Sequence, residues 1–172
     1  LEKIPDWEPI PYEKIGLRND AEEIAEQSVL LSIGSPRAVA LGKETFVDAA
    51  NLAVQPVVLD GRTLVPVRFI AESFGATVGW EGETQTVTVQ LGDTAITLQI
   101  GSRDMTVNGK KTTLDVTAQT INDRTLIPLR AIAEALGKTV FWDDKGLIAI
   151  SDTDLVDADD WLVIDALIRK VE

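Results

Sequence analysis

Arg62-Thr63-Leu64-Val65-Pro66-Val67-Arg68-Phe69-Ile70-Ala71-Glu72-Ser73-Phe74-Gly75-Ala76-Thr77-Val78-Gly79-Trp80 returns as Arg124-Thr125-Leu126-Ile127-Pro128-Leu129-Arg130-Ala131-Ile132-Ala133-Glu134-Ala135-Leu136-Gly137-Lys138-Thr139-Val140-Phe141-Trp142, with twelve of nineteen positions identical at an offset of 62. Self-similarity over such a length marks two copies of one structural unit. Upstream, Leu31-Ser32-Ile33-Gly34-Ser35 matches Leu98-Gln99-Ile100-Gly101-Ser102 at an offset of 67, and Gly42-Lys43, Thr45 and Asp48 match Gly109-Lys110, Thr112 and Asp115. The first copy therefore carries five extra residues between Asp48 and Asp60, around Asn51 and Pro56. A surface loop takes such an insertion at little cost.

Within the quoted stretch, Val67, Ile70, Ala71, Phe74 and Leu129, Ile132, Ala133, Leu136 recur at helical spacing. Pro66 and Pro128 are expected at the first helical position, and Gly75 and Gly137 at the left-handed residue that ends each helix. Before each helix, Leu31 to Ile33, Ala38 to Leu41 and Thr45 to Val47, then Thr94 to Ile100, Met105 to Val107 and Thr112 to Leu114, read as short strands around Gly42-Lys43 and Asn108-Gly109 turns. After each helix comes a strand pair, Thr77 to Trp80 with Thr86 to Leu91 and Thr139 to Trp142 with Leu147 to Ile150, joined by acidic turns. The strict alternation of Thr86 to Leu91 buries one face and wets the other. The expected fold class is α+β: two tandem repeats of antiparallel hairpins plus one helix each, packed as one compact unit. Each copy has about 55 to 60 residues, near the lower limit for an independent core, so the two are expected to share a sheet or pack tightly.

Four segments follow: a linker and short helix at 1–28, repeat 1 at 29–93, repeat 2 at 94–151, and a C-terminal helix at 152–172. Pro5, Pro9, Pro11 and Gly16 suit an extended linker over residues 1–16, and Asn19 to Gln27 a short helix capped by Asn19 or Asp20. At the other end Trp161, Ile164, Leu167, Ile168 and Val171 mark an amphipathic helix beginning near Asp157 or Asp159 and docking on the sheet, with Trp161 expected to pack.

Composition then removes whole classes of function. The 172 residues include no His and no Cys, which excludes thiolate nucleophiles, Ser-His-Asp triads, imidazole bases and the zinc or copper sites those side chains build. No cofactor is expected, and the chain reads as non-catalytic. Sixteen basic against twenty-eight acidic residues leave a net charge of −12, which repels a phosphate backbone and argues against nucleic acid as partner. Residues 1–28 and 152–172 carry −5 each, leaving the repeats almost neutral. Apolar runs such as Leu64 to Val67 fall far short of the roughly 18 to 20 residues that span a bilayer, so no membrane span is expected. No secretory signal is visible in the sequence, which begins at Leu1.

The doubled Arg-Thr-Leu-Val/Ile-Pro-Val/Leu-Arg, Ile-Ala-Glu, Gly and Val-x-Trp pattern over residues 29–151 resembles the copper amine oxidase N-terminal-like (stalk) domain family. That resemblance implies α+β units with antiparallel sheets, acting as accessory modules of secreted or cell-surface bacterial proteins. It further implies a catalytic domain in the same longer chain and a polysaccharide or cell-wall glycan as partner. Copper and quinone chemistry belong to a separate catalytic domain of such proteins. Without His, and with Tyr12 as its single Tyr, this chain supplies neither. Ile4 to Leu17 also resembles the closing segment after the parallel β-helix of some secreted carbohydrate-active enzymes, which would make a β-helix the missing catalytic neighbour.

Trp80 and Trp142, at equivalent strand ends, are either exposed platforms for sugar rings or core anchors. Arg62 and Arg124 either bind a carboxylated glycan or hold loop carbonyls. Arg68 with Glu72 and Arg130 with Glu134 are i, i+4 pairs on outer helix faces. The string Asp152, Asp154, Asp157, Asp159 and Asp160 fails the EF-hand pattern, with Val156, Asp157 and Val163 at its fifth, sixth and twelfth positions, and is better explained by a helix N-terminus. Glu81 with Glu83 and Asp143 with Asp144 lie on tight turns with nothing to raise a carboxyl pKa. The expected function is glycan binding by an accessory module. The alternative is a structural stalk that positions a catalytic neighbour and binds no sugar.

Overall fold

A computed structural model describes residues 12–172. After helix α1 (Tyr12–Gln27), the first copy runs β1 (Ser28–Ser32), β2 (Arg37–Ala40), β3 (Lys43–Phe46), β4 (Val57–Leu59), β5 (Arg62–Pro66), α2 (Val67–Ser73), β6 (Thr77–Glu81) and β7 (Thr86–Leu91). The second repeats it as β8 (Thr94–Gln99), β9 (Asp104–Val107), β10 (Lys110–Thr113), β11 (Gln119–Ile121), β12 (Arg124–Pro128), α3 (Leu129–Ala135), β13 (Thr139–Trp142) and β14 (Leu147–Ser151), and α4 (Trp161–Val171) closes the chain.

Local chemistry sets these boundaries. Leu41-Gly42 between β2 and β3 and Asn108-Gly109 between β9 and β10 both place two successive residues at positive φ, the turn geometry that matches strand twist. Each short helix ends on a glycine at positive φ, Gly75 or Gly137. The Gly75 and Ala76 amides donate to the Glu72 and Ala71 carbonyls, and Gly137 and Lys138 donate to Glu134 and Ala133, satisfying the last orphan carbonyls. Pro66 and Pro128 lie one position earlier than the sequence suggests. They end β5 and β12 and act as helix N-caps, because strand runs into helix with no intervening loop.

The copies interlock rather than standing side by side. One five-stranded antiparallel sheet has the order β13-β14-β1-β2-β3, a second β10-β9-β8-β7-β6, and a four-stranded sheet β11-β12-β5-β4. Each five-stranded sheet therefore combines the closing strand pair of one copy with the opening three strands of the other. In the small sheet Val65 pairs with Ile127, its own counterpart, flanked by Leu64 with Pro128 and Pro66 with Leu126. That register places a pseudo-twofold axis between Val65 and Ile127 and gives the self-complementary pairing of an isologous dimer inside one chain. A lone copy would leave β1 and β5 without these partners, which is how units this small obtain a shared core.

That core draws on both copies: Val29 and Leu31 from β1, Val87 and Val89 from β7, Ile96 and Leu98 from β8, Ile148 and Ile150 from β14, with Ile70 and Ile132 from the short helices. Lys138 extends over the Phe74 ring at 4.7 Å, a further cross-copy contact. A second cluster lies outside, where Ile24 and Ala25 of α1 and Val163, Ile164, Leu167 and Val171 of α4 cover Leu30, Val39, Leu147 and Ala149.

The flanks depart from expectation in two places. Residues 12–16, read as linker, are helical, because α1 continues upstream from the segment that packs; residues 1–11, with the rest of the linker and most of the β-helix-like segment, lie outside the described residues. Helix α4 starts at Trp161, with Asp160 as N-cap accepting from the Val163 amide at 3.3 Å. No helix among the described residues is long and apolar enough to cross a membrane.

Candidate functional site

The two repeated tryptophans lie at the ends of β6 and β13, Trp80 as the next-to-last residue of its strand and Trp142 as the last, and both strands are edges of their sheets. Each indole lies on the core-facing side of its strand, opposite buried Val87 or Ile148, but beyond the last residue that a neighbouring layer covers. Trp80 is 50% exposed and Trp142 56%, so neither is a core anchor. An edge strand has one neighbour, and its final residue leads into a solvent-exposed turn. Trp161 is 63% exposed, against the expectation that it packs. Helical side chains lean toward the N-terminus, so a first-turn residue overhangs the helix end instead of the sheet.

Trp80 stands in an open groove of about 970 Å³ between β3 and β6, floored by α2. Phe46 and Phe69 line the same groove, as do Lys43, Arg68, Glu72, Asp48 and Arg124. Trp142 does not line it; it occupies the equivalent place beside α3. The pseudo-equivalents of Phe46 and Phe69 there are Thr113 and Ala131, so only the first copy gathers three aromatic side chains. Comparing the two copies position by position would have exposed this break. Repetition alone singled out the tryptophans and passed over Phe46 and Phe69, while Lys43, which recurs as Lys110, reads only as part of a turn.

Arg62 and Arg124 hold the copies together. Arg62 Nε donates to Asp115 Oδ2 at 2.9 Å and Arg124 Nε to Asp48 Oδ2 at 2.5 Å, each across the pseudo-dyad. Weaker bonds reach the adjacent carbonyls of Gly61 and Asp123. The expected loop-carbonyl contacts thus exist, with a cross-copy carboxylate as the main partner. The recurrence of Asp48 as Asp115 was the signal available for it. Arg62 lines a separate charged pocket of about 240 Å³ with Arg103, Asp60 and Asp115, so the four candidate residues do not converge on one site.

Arg68 and Glu72 pair at 2.9 Å, whereas Arg130 makes no ion pair with Glu134. In the acidic string, Asp160 caps α4, Asp157 accepts from the Asp159 amide at 2.9 Å, and Asp152 pairs with Lys138 at 2.6 Å. No group of three or more acidic side chains placed to hold a metal occurs among the described residues. A chain without His or Cys has no thiolate or imidazole donor for copper. Lys145 has its pKa raised above the ordinary 10.5, chiefly by its hydrogen bond to Asp165 and by that carboxylate's charge.

A family model described as Copper amine oxidase N-terminal domain matches residues 46–150, more than half of the chain. The chain belongs to this family. Its domains are non-catalytic accessory units. The match begins at Phe46 and ends at Ile150, taking in the groove's α2 and β6 walls and both copies of the repeated helix. A comparison with curated proteins finds no match.

Proposed function

We propose that this protein is an accessory module that binds a polysaccharide in the groove beside Trp80. The observation that carries the reading is the half-exposed Trp80 indole in a groove of about 970 Å³ shared with Phe46 and Phe69. Aromatic faces give large contact area at small entropic cost, and a few fixed polar groups beside them supply orientation. Association with a secreted or surface-exposed catalytic domain goes with this reading and has the family resemblance as its support.

Affinity electrophoresis of the full chain against neutral polysaccharides, polyuronates and peptidoglycan tests it. Retardation by at least one glycan is expected, weakened by roughly tenfold or more in Trp80→Ala, equivalent to about 1.4 kcal/mol. Trp142→Ala, in the groove position without the other aromatics, is expected to bind nearly as the parent does. Folding of both variants is checked by circular dichroism. Absence of retardation by every glycan overturns the reading in favour of a structural stalk.

A further inference from the structure

The charge distribution narrows the ligand class. We infer that the groove takes an uncharged glycan chain and rejects polyuronates and other polyanions, an inference that rests on the glycan-binding reading above. Its positive side chains are Lys43, Arg68 and Arg124. Two of the three are already engaged: Arg68 by Glu72 and Arg124 by Asp48. Asp123 adds a third carboxylate to the lining, so the groove carries no net charge. Arg62, the other residue suited to a carboxylated sugar, faces a different pocket and is held by Asp115. A polyanion therefore meets one unpaired cation, on a chain whose total charge is −12, and the long-range field opposes its approach.

Neutral sugars meet a different surface. A guanidinium has five N–H donors, and the Arg68–Glu72 contact uses one, from Nη1 to Oε2. The remaining donors and the second carboxylate oxygen belong to side chains that line the same groove as Phe69 and Trp80. Paired hydroxyl groups of an uncharged sugar match such donors and acceptors without requiring the ion pair to break. A carboxylate ligand gains only by displacing Glu72 or Asp48.

The test is affinity electrophoresis of the full chain in gels containing hydroxyethylcellulose, galactomannan or laminarin as neutral probes, and polygalacturonate or alginate as polyanions. Each is run at about 0.02 M and about 0.3 M salt, which brackets weak and strong screening. Retardation by a neutral probe, changed less than twofold by salt and lost in Trp80→Ala, is the expected result. Retardation by a polyanion that falls with salt overturns the inference while leaving glycan binding intact. Absence of retardation by any probe instead overturns the reading on which it rests. Glu72→Gln supplies the converse arm: freeing Arg68 should create salt-sensitive retardation by polygalacturonate that the parent lacks. If no such gain appears in the folded variant, ion pairing is not what excludes polyanions.

Discussion

The two five-stranded sheets share one strand pattern and present opposite outer faces. Across the first, Phe141, Ala149, Leu30 and Val39 form a row of paired residues, and α1 and α4 cover it. The equivalent row across the second is Gly79, Thr88, Thr97 and Thr106, with Thr88 and Thr97 exposed and Gly79 and Thr106 half-buried. The inner faces stay apolar in both, with Val29, Leu31, Ile148 and Ile150 answered by Ile96, Leu98, Val87 and Val89. The repeat is thus written on the faces that meet at the pseudo-dyad, while each outer face records what packs on it. Gly79 belongs to the open face as well, since a Cβ there would lie 2.6 Å from Thr88 Oγ1.

The largest effect should come from treating the two rows alike. Leu30 is fully buried beneath the helices, and Leu30→Ala is expected to destabilise by about 2–5 kcal/mol through lost burial and the cavity left behind. Its counterpart Thr97 is exposed, and Thr97→Ala should change stability by no more than about 0.5 kcal/mol. Urea unfolding midpoints at constant slope read both. Equal losses would mean that the open face is covered in solution, which would end the contrast.

A smaller effect separates the hairpin turns. Leu41 and Asn108 occupy the same left-handed turn position, at φ 49° and 52°, yet only Asn suits that region because its short polar side chain bonds locally. Asn108 also bonds across to β8, its Oδ1 accepting from the Ala95 amide at 2.8 Å. Leu41 is exposed and gains no compensating burial. Leu41→Asn should therefore stabilise by about 0.5–1 kcal/mol, read as a raised thermal midpoint. A neutral or destabilised variant would show that Leu41 makes contacts its exposure hides.

Periodicity carried far into this fold and stopped at pairing. The repeat, the short helices and their terminal glycines, and most strands follow from spacing, because local hydrogen bonding and one buried face determine them. Strands β4 and β11, three residues each, are too short to show a period. That β14 pairs with β1 depends on which open edges meet after collapse, across more than a hundred residues of chain. The site followed the same division. Trp80, Trp142, Arg62 and Arg124 stand out by repetition, but exposure of the indoles and engagement of the guanidinium groups are set by edge position and by the partner copy. Phe46 and Phe69 carry no repeat signal, since the second copy replaces them with Thr113 and Ala131.

The smallest expected effect lies at the turn that secures the covered sheet. Lys145, between β13 and β14, holds Asp165 of α4 at 2.9 Å, whereas the corresponding turn of the open sheet, after Glu81, has no helix to hold. The bond and the Asp165 charge raise the Lys145 pKa above 10.5. A base whose pKa is higher in the folded than in the unfolded state contributes stability in full below the unfolded value, and loses it as pH rises through the folded one. Lys145→Met should therefore melt slightly below the parent at about pH 8, and the gap should close once the pH passes the raised pKa. Because the other lysines are common to both proteins, their titration cancels in the difference. A gap that persists unchanged into the alkaline range would mean that the contribution of Lys145 is packing of its aliphatic stem, not charge, and that α4 is held to the covered sheet by its apolar face alone.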